Sequence, residues 1–301
     1  MAGLRAFGSY LPPRRAPNEE MAALAGCEAS WIRGVSGIEE RRFAGESVVE
    51  MAARAGEDCL SRAGVASSDV GMVIVACGSA ERQFPGPAAE TAQRLGAAAA
   101  VALDVPMASA GSLFGLALAS ELAGKFRHVL VIGAEKMSSI VLREPVDRNV
   151  AVLFGDGAGA CLVSREGGAR VVDWLLASDG SFAGELRLGF GEPLHMNGLA
   201  VILQASRKLP RVITDLLARN GRTPTDVRVF LLHQANRNLL AKVAQALGVE
   251  TGRVFCNIER YGNTSSASML IAAAEWTPAP GPVVLAAFGA GFHWGALLAE
   301  F

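Results

Sequence analysis

Two stretches of this chain carry the same succession of apolar runs, turns and helical segments at nearly the same spacing. In the first, GMVIVAC (71–77), VALDV (101–105), HVLVIGAE (128–135) and GAGACLVS (157–164) read as strands. A helical stretch ends at Leu95–Gly96, and the helix LFGLALASELAG follows the small-residue turn PMASAGS (106–112). In the second, the corresponding strands are VRVFLLH (227–233), RVFCNI (253–258), PVVLAAFGAG (282–291) and HWGALLAEF (293–301). A helix ends at Leu247–Gly248, and MLIAAAEW follows the turn ERYGNTSSAS (259–268). Gly96 precedes Ser109 by 13 residues, and Gly248 precedes Asn263 by 15. The period is far too long for a solenoid. Short apolar strands alternating with helices imply parallel strands covered on both faces. The pattern therefore predicts a duplicated βαβαββ unit, with the active site where corresponding strand ends meet. The boundary falls in the loop SREGG (164–168), giving an N-terminal half over 1–165 and a C-terminal half over 166–301. A single doubly wound sheet is the other architecture this order allows.

Composition narrows the partners. Hydrophobic residues make up 51% of the 301 and charged residues 19%, so the chain is globular with ample length for a core. Charges of 28 and 29 leave a net −1, which offers no electrostatic grip on nucleic acid or on an anionic membrane surface. The five cysteines, Cys27, Cys59, Cys77, Cys161 and Cys256, are odd in number and form no CxxC. Neither a disulfide framework nor a metal site is expected, and a reducing compartment is the default. The start shows no apolar signal segment, and the longest uncharged run, Val105–Ser120, is broken by Pro106 and too short to span a membrane. A cytoplasmic location is the expectation.

Three side chains stand out for chemistry. His233 ends a buried strand in LLHQAN, just before a helix, where α/β folds place catalytic groups; its plainer reading is a satisfied buried histidine. Asn263 lies in the turn YGNTSSAS and Ser109 in the matching turn DVPMASAG. Both residue types also cap helices and suit tight turns. The functional reading of Ser109 is a nucleophile raised at a helix N-terminus. His128 opens a strand and reads as structural, while His195 and His293 sit in loop or turn settings. GDGAGA (155–160) resembles a phosphate loop, but no Lys follows and a strand comes next. Its glycines read instead as a tight turn or a close backbone approach.

LLHQAN together with YGNTSSAS, FGDGAGA and the terminal FGAGFHWGALLAEF resembles the ketoacyl-acyl-carrier-protein synthase III family of the thiolase-like fold. WIRGVSGIEERR (31–42) resembles an early segment of the same family, and the likeness runs from residue 3 to 301. The resemblance implies an α/β thiolase-like fold with two halves in an αβαβα layering, forming a homodimer. It implies an acyltransferase that condenses an acyl thioester with a malonyl carrier thioester, in fatty acid or polyketide biosynthesis. Coenzyme A and phosphopantetheine thioesters would be substrates, acyl carrier protein a partner, and no further cofactor is implied. The family's Cys–His–Asn constellation maps onto Ser109, His233 and Asn263, with serine at the cysteine position. The N–H groups of Ser109 and Ala290 would form the oxyanion hole. Phe84 matches a residue that reaches across the dimer toward the acyl pocket, and Trp31 with Arg148 would hold the coenzyme A adenine.

The chain departs from that pattern elsewhere. Val35 replaces an Arg, Asn238 stands where an Arg is usual, and LAVILQ follows MNG (196–198) where a basic residue is frequent. Serine must surrender its proton as it attacks, which calls for His233 as base. Its oxygen ester is also a weaker electrophile than a thioester. Two further readings follow: acyl transfer to a hydroxyl or amine without condensation, or a catalytically silent subunit paired with an active paralogue.

Overall fold

The computed structural model describes residues 2–301. Its strands are β1 (Gly3–Tyr10), β2 (Arg14–Pro17), β3 (Glu40–Phe43), β4 (Met72–Ala76), β5 (Val101–Val105), β6 (His128–Lys136), β7 (Asp156–Ser164), β8 (Ala169–Ser178), β9 (Leu186–Arg187), β10 (His195–Met196), β11 (Val229–Leu232), β12 (Pro282–Gly289) and β13 (His293–Glu300). Nine of them run in the hydrogen-bonded order β11-β12-β13-β8-β1-β7-β6-β4-β5. At the centre, β1 and β8 share only the pairs Gly3↔Arg170 and Leu4↔Ala169. Outward from that seam the orders are β1-β7-β6-β4-β5 and β8-β13-β12-β11. On each side the strand nearest the seam, its neighbour and the next run antiparallel, and parallel pairing begins only beyond.

This is the duplicated arrangement that the sequence pattern predicts, with one addition. Each half opens with a further strand and helix that the repeat does not reveal: β1 with helix Val48–Ala63, and β8 with helix Gly198–Arg219. Both lie in regions where the two halves share no sequence punctuation.

Layering follows from which faces are apolar. Helices Gly111–Leu122 and Ser268–Glu275 each pack on strands of both halves, so they form a shared middle layer. Leu113, Leu116 and Ala119 from one, and Met269, Leu270 and Ala273 from the other, meet Ile74, Val131, Leu285 and Leu297 in a single buried cluster. Helices Val48–Ala63 and Pro87–Arg94 cover the outer face of the first half, and Gly198–Arg219 with Arg237–Leu247 covers that of the second. The result is an αβαβα stack. The long helix Val48–Ala63 starts at a full capping box, with Glu50 N–H donating to Ser47 Oγ and Glu50 Oε2 accepting from Ser47 N–H.

One predicted strand is absent. RVFCNI contributes only the parallel bridge Phe230↔Val254 and the bond from Phe255 N–H to Phe230 O (3.0 Å), after which helix Ile258–Tyr261 begins. The reason lies in its neighbour. β11 is four residues long, and beyond it Gln234 takes over the partner's role: its amide donates to Phe255 O (3.1 Å) and accepts from Asn257 N–H (3.1 Å). A side chain thus satisfies the backbone groups that a longer ladder would have used.

Because the middle layer belongs to both halves, they should unfold together. Leu116→Ala removes a fully buried side chain from it and is expected to cost about 2–5 kcal/mol. Urea denaturation followed by circular dichroism should show one transition, shifted to lower denaturant. Two resolved transitions would mean that each half is stable alone.

Candidate active site

The turn after β5 is the sharpest feature in the structure. Ala110 N–H donates to Ala108 O at 2.7 Å, closing a three-residue turn with Ser109 at its apex and a φ of 62°. A γ-turn with positive φ is rare and strained, at a cost of order 1–3 kcal/mol for a residue with a side chain. Helix Gly111–Leu122 starts two residues later. Two contacts hold the turn. Ser109 N–H donates to Ser265 Oγ at 3.0 Å. The end of β12 also presses on it: a Cβ at Gly289 would stand 2.3 Å from Ala108 O and 2.9 Å from Ser109 Cβ, so only glycine fits there. Ala290, whose N–H is expected in the oxyanion hole, is the next residue in the chain. The Ser109 N–H expected in the oxyanion hole is already committed to Ser265 and would have to share that bond to serve there.

His233 lies just past β11, where its N–H still donates to Ala286 O of β12 at 2.9 Å. The imidazole is buried, with Nδ1 2.6 Å from Ser268 Oγ. That hydroxyl also accepts from Gln234 N–H (3.0 Å). Burial pushes the His233 pKa down from 6.5 to about 4, and a hydrogen bond to the Ser265 main chain works weakly against it. No carboxylate offsets the desolvation, so the ring is neutral over the physiological range.

Asn263 is set from the other half. Its N–H donates to Leu153 O (2.9 Å), and its carbonyl accepts from Gly155 N–H (3.1 Å). This is the work of FGDGAGA. Gly155 lets the Tyr261 carbonyl approach to 2.3 Å from where a Cβ would stand, which is the close backbone approach expected of these glycines. Asn263 Oδ1 accepts from Ser265 N–H at 2.8 Å, leaving the Nδ2 donors for another acceptor.

Ser265 therefore touches two of the three by different atoms, Ser109 through Oγ and Asn263 through N–H, and Ser268, three residues on, holds His233. Ser265 too has positive φ, at 48°. Behind it stands Glu135, fully buried at the end of β6, with Ser265 Oγ at 2.9 Å, Ser79 Oγ at 2.5 Å and Gly78 N–H at 3.0 Å. Sequence reasoning passed over Ser265, Ser268 and Glu135. The one available signal was an acidic residue closing the otherwise apolar run HVLVIGAE, because such a carboxylate needs several donors.

The remaining candidates separate. Arg148 lies with its guanidinium carbon 5.8 Å from the Trp31 ring centroid, so the expected pair is in place at the surface. Phe84 is 83% exposed and lines a cavity of about 980 Å³ together with Cys77, Gly78, Pro106 and Phe190. Ser109 does not line that cavity, although Gly78 packs against its neighbour Ala108. Val35 and Asn238 meet: the Asn238 amide donates to Val35 O at 3.3 Å and to Gly34 O at 3.1 Å, and Asn236 donates to Val35 O at 2.7 Å. His128 is satisfied structurally by Ser164 Oγ at 3.1 Å, and His293 pairs with Ser178 Oγ at 2.6 Å. His195 lies exposed on β10. All five cysteines are free, and burial raises the pKa of Cys59 to about 12 and those of Cys77 and Cys161 as well, so no thiol replaces Ser109. Among the described residues there is no cluster fit for a metal and no helix long and apolar enough to cross a membrane.

The arrangement is one hydroxyl on a strained turn, one neutral imidazole and one oriented amide, gathered from both halves. Comparisons with known proteins agree with its origin. Residues 103–180 match the family profile 3-oxoacyl-[acyl-carrier-protein (ACP)] synthase III, and residues 217–301 match that family's C-terminal profile. The β-ketoacyl-[acyl-carrier-protein] synthase III of Oceanobacillus iheyensis is 35% identical over 98% of this chain and 97% of its own. That of Gloeobacter violaceus is 37% identical over 98% and 96%. The crystal structure of 3-oxoacyl-[acyl-carrier-protein] synthase III from Aquifex aeolicus superposes with a TM-score of 0.96 at 31% identity, covering 100% of both chains. The priming β-ketosynthase of the R1128 polyketide pathway gives 0.92 at 29% identity, covering 100% of this chain and 96% of its own.

The neutral histidine has a measurable consequence. An unfolded histidine takes up its proton near pH 6.5. With the folded pKa about 4, protons bind preferentially to the unfolded chain between those values. His233 therefore contributes stability that is present above about 6.5 and lost as pH falls toward about 4. Histidine NMR should show the His233 ring neutral at pH 6, and an ordinary titration near 6.5 would contradict its burial.

Proposed function

Because the chain belongs to the 3-oxoacyl-[acyl-carrier-protein] synthase III family, we propose that it is a condensing acyltransferase using Ser109, His233 and Asn263. An acyl thioester of coenzyme A or of a carrier protein would acylate it, and a malonyl carrier thioester would accept the acyl group. The observation that carries this reading is the turn 265–268, in which Ser265 binds Ser109 and Asn263 and Ser268 binds His233 within one buried cluster.

In the first half-reaction Ser109 Oγ bonds to the acyl carbon, its proton passes to His233 Nε2, and the carbon–sulfur bond breaks. The imidazolium then returns the proton to the leaving thiolate. Nε2 accepts only while Nδ1 carries the ring hydrogen, and Ser268 Oγ can accept from that N–H. In the second half-reaction, malonyl loses carbon dioxide, the enolate carbon bonds to the acyl carbon, the carbon–oxygen bond to Ser109 breaks, and the departing Ser109 oxygen takes up one proton from solvent. Here the thioester oxygen needs donors. Asn263 Nδ2 supplies one. His233 supplies another from Nε2–H when Ser268 turns its hydroxyl hydrogen onto Nδ1. One hydroxyl rotation thus fits the ring to either task. Trp31 and Arg148 fit the adenine of coenzyme A, which each could meet face-on.

A homodimer accounts for two exposed features. β5 has a neighbour on one edge only, with Val101 50% exposed, and such edges are normally covered. A second copy seated there would also bury Phe84 and let it close the inner end of the acyl channel.

Intact-protein mass spectrometry after exposure to acyl thioesters should show an adduct that disappears in Ser109→Ala. His233→Ala should slow its formation by about 10²–10⁴-fold. Adding malonyl thioester should release carbon dioxide and a 3-oxo product. An acylated alcohol or amine without carbon dioxide would establish transfer without condensation, which the serine ester favours. No adduct at all would leave a silent subunit. Separately, Phe84→Ala should extend the range of acyl chain lengths accepted. An unchanged profile would reduce Phe84 to a packing residue.

A further inference from the structure

We infer that Glu135 is a positioning residue for Ser109, acting through the Ser265 hydroxyl; this rests on the reading of Ser109 as the acylated residue. The argument is one of hydrogen-bond direction. An ionised carboxylate only accepts. Ser265 Oγ, 2.9 Å from Glu135 Oε1, must then give its single proton to Glu135. Both of its lone pairs are left to accept, and one takes the Ser109 N–H at 3.0 Å. Without the carboxylate the hydroxyl could turn and present its hydrogen to that N–H. The turn would then lose the bond that holds Ser109 at positive φ.

The same carboxylate steadies the turn from its other side. Gly78 N–H donates to both carboxylate oxygens, at 3.1 and 3.0 Å. Gly78 itself packs so closely on Ala108 that a Cβ there would stand 2.9 Å from Ala108 Cβ. Ser79 Oγ, at 2.5 Å, and Ser266 Oγ, at 2.8 Å, complete the shell. Glu135 is thus bound to both walls between which the Ser109 turn sits. A buried carboxylate is costly to solvate by protein groups alone. Burial does raise the Glu135 pKa, although four hydroxyl and N–H partners work against the shift. A core position of this kind serves packing better when apolar, so a carboxylate there points to a task.

The test uses Glu135→Gln, Ser265→Ala and the double variant in the full chain, with two readouts. The first is the rate of acyl adduct formation at Ser109. Each single variant is expected to lose about 10²-fold, as for a misplacement of about 1 Å, with half-saturation by the acyl thioester changed less than about threefold. The double variant should be no slower than the slower single, because both act through one hydrogen bond. The second readout needs no acyl chemistry. In a Ser109→Cys background, the thiol at the turn apex is alkylated with iodoacetamide and located by peptide mapping. Adding Glu135→Gln or Ser265→Ala should each change its alkylation rate by about tenfold or more, since its orientation is no longer fixed. Circular dichroism and the thermal midpoint establish that each variant is folded. If Glu135→Gln does not fold, Glu135→Asp, whose shorter side chain draws the carboxylate back from Ser265, takes its place in both readouts. Folded variants with unchanged adduct and alkylation rates, or with additive losses, overturn the inference. If the parent protein takes no acyl group, the proposed function fails, while the alkylation series still decides whether Glu135 and Ser265 set the turn.

Discussion

Two pairs of main chains that meet with no side chain between them set the geometry of this molecule. Gly289 of β12 lies against the turn 108–110, and Gly133 of β6 lies against the turn 265–267, where a Cβ would come within 2.3 Å of Ser266 O. The pairs are related by the duplication. β6 and β12 hold corresponding places in their half-sheets, and each touches the turn that precedes the middle-layer helix of the other half. Moving either strand by the width of a methyl group would separate the turns. Meeting at these glycines, the halves bring Ser109 and Asn263 to one place from positions 154 residues apart (263 − 109).

Close approach of this kind buries polar groups, and the site shows how they are accommodated. Ser109, His233 and Asn263 are buried, and so are Glu135, Ser265, Ser266 and Ser268 behind them. An unpaired buried polar group costs roughly 1–3 kcal/mol. The side-chain atoms that are buried without a partner, on Arg41, Arg42, Thr91 and Ser112, all lie outside this set. Serine suits the task because one hydroxyl can donate and accept at once. Around Glu135 the hydroxyls of Ser79, Ser265 and Ser266 all lie within hydrogen-bond distance of one carboxyl group.

How much of this could be read from the sequence depended on whether a feature was local. The strands of the repeat were legible because each is a short apolar run bounded by turn residues, and HQAN with GNTSSAS carried the family. Strand β1 and helix Val48–Ala63 were not legible as repeat members. Their counterparts β8 and Gly198–Arg219 share their place in the fold but no sequence pattern. The false strand at 253–258 has a different cause. Its composition suits a strand, and the competing partner is the side chain of Gln234, 21 residues from Phe255 and 23 from Asn257, which no local pattern reveals. Glu135 was hidden for the same reason: its meaning lies in donors from residues 78, 79, 265 and 266.

The surroundings of His233 bear on the serine. A thiolate nucleophile is stabilised by a positive charge or a helix N-terminus and can rest ionised. An alkoxide cannot, so the serine must meet a neutral base at the moment of attack. Burial without a facing carboxylate keeps His233 in that state, with only Ser268 Oγ and the Ser265 main chain to receive the charge it acquires. Where a Ser–His pair is backed by an aspartate, the imidazolium is stabilised by a full charge. Here it is opposed by desolvation and eased only by dipoles. The ionised ring is a high-energy species in this pocket, and its proton must pass quickly to the leaving thiolate. For the acylation step the arrangement therefore favours a thioester donor, whose thiolate leaves with little assistance from a histidine that cannot hold its charge.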